Sequence, residues 1–159
     1  MATTDQQKAA DAAFQFQAAV DRQAAIGTLR RKLIVSLLMQ ARKIEDKPLA
    51  QRFFHMRGHC SMMLEALAKE RDLLHNTDIV KSTSLELSGF LTDMQQLQAR
   101  FDRFAGLYTA MKAKTLPLVK AKAEQFDRKF VTWLQKDVIA VNAFDAQFQR
   151  VNDALEQAI

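Results

Sequence analysis

Two histidines, the single cysteine and three methionines fall between His55 and Met63, in the run HMRGHCSMM. All six are soft-metal ligands, and a cysteine is also a nucleophile once it loses its proton. His55 and His59 are spaced i,i+4, and Met62 continues their line. On a helix this arrangement holds zinc or copper if a second helix supplies a further ligand. The neighbours argue against that chemistry. Arg52 and Lys69 flank the histidine line, and His75, the only other histidine, stands about four turns along the same helix. The chain has no Cys-x-x-Cys, no paired Glu-x-x-His, no His-Glu-x-x-His, no Gly-x-Ser-x-Gly and no glycine-rich phosphate loop. The reading is therefore a non-enzymatic chain without metal or cofactor. Cys60 is a small core residue between Met56 and Met63.

The elements that must position these residues are helices. Four glycines and two prolines in 159 residues leave little turn chemistry for strands, while Ala, Gln, Leu, Lys and Arg favour helix. Glu45-Asp46-Lys47-Pro48 reads as a helix stop followed by an Asp cap with proline in the first turn. His75-Asn76-Thr77-Asp78 is a second break, and Thr115-Leu116-Pro117 a third, with Thr115 as N-cap. Thr4 and Gln7 form a capping box at the start, and Gly27-Thr28 is a point where the first helix can kink or split. The helices so defined span about 5–45, 47–75, 78–113 and 116–157 within one domain, 1–159.

Apolar periodicity agrees with this division. Leu87, Phe90, Met94, Leu97, Phe101, Phe104, Tyr108 and Met111 alternate spacings of three and four. Phe53, Met56, Cys60, Met63, Leu67 and Leu74 do so with Glu70 as the exception. Leu134, Val141, Phe144, Phe148, Val151 and Leu155 do so with Asp137 as the exception. A sustained coiled-coil-like repeat with short connections predicts an all-α, antiparallel up-down-up-down four-helix bundle of long helices.

Two surfaces are left over. Phe54, Gly58 and Met62 recur on the face opposite the seam of the second helix, and Leu33-Ile34-Val35-Ser36-Leu37-Leu38-Met39 is apolar nearly all round. An apolar belt of Leu33, Ile34, Leu37, Leu38, Phe54, Gly58 and Met62 is thus an expected interface for a protein partner or a second copy. Gly58 would let a backbone approach closely. The other surface is cationic. The net charge is +5. Windows 40–52 and 110–122, brought to one end by antiparallel packing, hold Arg42, Lys43, Lys47, Arg52, Lys112, Lys114, Lys120 and Lys122 against two acids, net +6. Windows 1–13, 70–82 and 147–159 hold four basic and seven acidic residues, net −3. Basic residues near the C-termini of helices one and three suit the helix dipole, whereas Lys120 and Lys122, placed at a helix N-terminus, oppose it; the pole reads as a solvated end or, alternatively, as an anion-binding one.

The leading expectation is an adaptor, accessory subunit or chaperone-like module acting through helix faces. The alternative is a nucleic-acid accessory protein that contacts phosphates without base readout. The N-terminus lacks the features of a secretory signal, and no apolar run approaches the roughly 20 residues of a membrane span. One cysteine makes no internal disulfide. Together these features lead to the expectation of a cytoplasmic protein.

Overall fold

The computed structural model describes residues 3–159, and they are all-helical, with five α-helices and no strand among them. In chain order these are α1 (Thr4–Lys43), α2 (Lys47–Asn76), α3 (Ser84–Ala121), α4 (Arg128–Lys136) and α5 (Val141–Ala158). Short 3-10 turns, Ile79–Lys81 and Ala123–Gln125, stand before α3 and α4. Among the described residues, no helix is long and apolar enough to cross a membrane.

Local chemistry sets most of the ends. The capping box lies one residue earlier than expected. Thr3 N–H donates to Gln6 Oε1, and Gln6 N–H donates to Thr3 Oγ1, both at 3.0 Å. Helix α1 closes with Asp46 N–H donating to Ala41 O and Glu45 N–H to Arg42 O, the paired bonds of a Schellman motif. This puts Glu45 at φ 58°, a left-handed conformation that costs a non-glycine residue about 1–2 kcal/mol. Asp46 then caps α2, accepting from Leu49 N–H at 3.1 Å. Thr83 caps α3, its Oγ1 accepting from Glu86 N–H and donating to Glu86 Oε1, both at 3.1 Å.

The third expected break is overturned. Helix α3 runs through Thr115 and Pro117 to Ala121, so no helix spans 116–157. Thr115 is fully buried and donates from Oγ1 to Met111 O at 2.6 Å, as a residue inside a helix does. A proline inside a helix costs about 3 kcal/mol or more. Val119, two residues on, is fully buried, and Lys122, just past the helix end, pairs with Asp46. The expected fourth helix is replaced by α4 and α5, separated at Asp137–Ala140.

The residues divide into two compact units. Unit 1 (1–25, 65–102 and 140–159) contains the first part of α1, the last part of α2, the first part of α3, and α5. Its core joins Phe16 to Phe144 and Phe148, with ring centroids at 5.2 and 5.7 Å, and Phe101 to Phe144 at 5.0 Å. Unit 2 (26–64 and 103–139) contains the complementary parts of α1, α2 and α3, with α4. There α1 and α2 are antiparallel across the turn at 44–46, as the Arg31–Ser61 hydrogen bond and the Gly27–Leu64 approach require. Helix α1 neither stops nor splits at Gly27. A Cβ there would lie 2.9 Å from Leu64 Cδ2, so glycine makes room for the leucine. Ile34, Leu37, Leu38, Phe53, Met56, Cys60, Tyr108 and Leu134 fill the core of this unit.

Candidate anion-binding surface

The opening cluster does not converge. Cys60 is 1 % exposed, and burial pushes its thiol up to about 12, so at neutral pH it stays in the unreactive protonated form. His55 points to solvent, while His59 is half-buried against Phe104 with ring centroids 6.3 Å apart. Burial, and then the neighbouring His55, hold the His59 imidazole below its usual range. Among the described residues, no three His, Cys, Asp or Glu side chains are grouped so as to hold a metal ion.

The apolar belt comes apart. Ile34, Leu37 and Leu38 are at most 1 % exposed, so the chain itself already covers them. Leu33 is half-buried and shares a flank of α1 with Gln40, whose Oε1 accepts from Asp127 N–H ahead of α4. Arg31, on the other flank, reaches Ser61 of α2. Leu33 therefore faces away from the side that carries Phe54. Gly58 is exposed with no atom within 4 Å of a notional Cβ, so no backbone of this chain uses the space. Phe54 remains exposed with the Arg57 guanidinium 4.9 Å above its ring, and Met62 is half-buried.

The cationic surface gains definition. Unit 2 holds sixteen Lys and Arg against five Asp and Glu, net +11, whereas unit 1 holds seven against thirteen, net −6. The connection between α3 and α4 lies against the α1–α2 turn. Lys122 Nζ pairs with Asp46, and Asp127 N–H bonds Gln40 at 2.8 Å. The hydrogen bond from Lys122, helped by Leu49 N–H, holds the Asp46 carboxyl below the usual range. Arg42, Lys43, Lys47, Lys114 and Lys120 are exposed and form no salt bridge among the described residues.

Three of the eight expected cations are engaged elsewhere. Lys112 is half-buried and donates to the Asp137 carbonyl, and burial lowers its ammonium. Arg52 lies along Met111, with Nη1 4.0 Å from Sδ. Lys122 is paired with Asp46. The dipole argument also reverses. Lys120 and Lys122 stand at the C-terminus of α3, where cations are favoured.

Arg128, Lys129 and Lys136, which sequence reasoning missed, are exposed in the same unit. Arg128 and Lys129 occupy the first turn of α4, where the dipole disfavours cations, and Asp127 caps that turn by accepting from Lys129 N–H at 3.0 Å. Their signal was a basic pair directly after an N-capping aspartate, hidden by the assumption that a helix already ran through it. Two clefts of about 500 and 510 Å³ open among the cations of unit 2. One is lined by Arg42, Glu45, Asp46 and Lys47, the other by Lys120, Glu124, Phe126 and Arg128. Comparison with protein-family models, curated proteins and solved structures yields no match, so the reading of this surface stands on its own chemistry.

Proposed function

We propose that the chain is a non-enzymatic helical-bundle interaction protein, an adaptor or accessory subunit, that docks an anionic macromolecule on the cationic end of unit 2. In this reading each unit is an antiparallel four-helix arrangement, with α5 closing unit 1 and α4 closing unit 2, and the setting is cytoplasmic. The carrying observation is the set of exposed cations without acidic partners on both sides of the Lys122–Asp46 pair. Helix-dipole complementarity accounts for Arg42, Lys43 and Lys120, but not for Lys47, Arg128 or Lys129, which sit in first turns. Nucleic-acid phosphate is the anion chosen for the test, because no element here presents the side chains that read base edges.

Labelled single- and double-stranded oligonucleotides titrated at two salt concentrations provide the measurement. Affinity should be independent of sequence and fall steeply with salt, with a log–log slope of about −3 to −4 if roughly four phosphates are engaged. Combined Lys114→Glu, Lys120→Glu, Arg128→Glu and Lys129→Glu should abolish binding while the protein stays folded, since exposed charges contribute at most about 1 kcal/mol each. Absence of binding near physiological salt, or binding that those changes leave intact, would overturn the reading. The helix-face alternative would then rest on exposed Phe54 and Met39, as a site for a protein partner or a second copy.

A further inference from the structure

Unit 1 contains a buried cluster made almost entirely of acceptors. Glu70 of α2 has no exposed surface, and neither of its carboxyl oxygens has a hydrogen-bond partner. Gln98 Oε1 and Asp102 Oδ1, both on α3, are also buried without partners. Asp102 hydrogen-bonds the carboxyl of Asp145 on α5, and Asp145 Oδ1 accepts from Gln98 Nε2 at 2.7 Å. Two carboxyl groups can bond each other only if one carries a proton.

We propose that Glu70, Asp102 and Asp145 form a proton-operated latch that keeps α5 docked in unit 1 while the cluster is protonated and releases it as the cluster ionises. The groups acting on Glu70 are Asp102 from α3 and Asp145 from α5, and the group acting on Asp102 is Asp145. Among the described residues, no cation acts on either Glu70 or Asp102. Burial first, and then these acidic neighbours, push Glu70 up to about 8. Burial and the bond to Asp145 push Asp102 up to about 7. Both folded values lie above the unfolded ones. The stabilising contribution is therefore complete below about pH 4, falls as pH rises, and is gone above about pH 8. Release would uncover Phe144 and Phe148, which pack on Phe16 and Phe101, so the latch governs access to an apolar surface.

Amide hydrogen exchange on the full chain, referenced to intrinsic rates, tests this. Between pH 5.5 and 8.5, protection in α5 should fall by about tenfold to a hundredfold, while α4 changes little. In Glu70→Gln with Asp102→Asn, the α5 loss should disappear. If the double variant does not fold, the native pH profile and Asp102→Asn alone carry the test. Protection in α5 that is independent of pH, or that falls equally in the variants, overturns the latch. Restoration of protection at pH 8.5 by millimolar Mg²⁺, Ca²⁺ or Mn²⁺ also overturns it, because the oxygens would then be a cation cage.

Discussion

Asp137 and Glu70 are the two acidic residues that interrupt otherwise apolar seams, one in each unit, and they have opposite surroundings. The Asp137 side chain is 8 % exposed and is met by donors on every side. Arg30 grips it with two bonds, Nε to Oδ2 at 2.8 Å and Nη2 to Oδ1 at 3.2 Å. Tyr108 Oη donates to Oδ2 at 2.7 Å, and Lys112 takes the backbone carbonyl. Arg30 also lies 5.5 Å from the Tyr108 ring centroid. Glu70 is buried more completely and has no donor at all. The same residue class, interrupting an apolar seam in the sequence, thus becomes a charged clamp at the C-cap of α4 and a proton holder inside α2. Which one results depends on whether a cation from a neighbouring helix reaches the same height.

Removing the cation should break the comparison most strongly. Arg30→Ala leaves a buried aspartate with one side-chain donor, and urea unfolding should show a loss of about 3–5 kcal/mol. Glu70→Met should do the opposite at pH 8, stabilising the protein by about 1–4 kcal/mol, with a smaller gain near pH 4 where the carboxyl is neutral in both states. A destabilised Glu70→Met at pH 8 would mean that the carboxyl has a partner such as a bound water or ion. Tyr108→Phe is the gentlest change. It removes one donor from Asp137 while Arg30 stays, and should cost about 1–2 kcal/mol in the same unfolding experiment.

Both acids were visible in the sequence as misses in the heptad register, but their partners were not, because Arg30 and Asp137 are 107 positions apart. The helix ends around 44–47 were legible, since Asp46 and Pro48 carry their own capping chemistry. The end of α3 was not. Pro117 resembles a helix start, and the burial of Thr115 and Val119 on either side of it depends on distant segments that the local sequence does not display. The segment 122–127, where the chain does turn, contains neither glycine nor proline. The charge count of the window 110–122 is unaffected by this error, because it does not depend on helix boundaries. The apolar belt did not survive, because a segment apolar nearly all round gives no sign of which side the chain itself covers.

Gly27 and Leu64 fit together as a small residue facing a large one, and this has a consequence for how the sequence can drift. Alanine at position 27 gains about 1 kcal/mol in helix propensity but presses on the leucine tip, so the change becomes acceptable once position 64 shrinks to valine or alanine. Conversely, a shorter residue at 64 with glycine retained leaves a void. Among diverged copies of this chain, positions 27 and 64 should therefore trade volume as a pair, a covariation traceable to a single 2.9 Å approach.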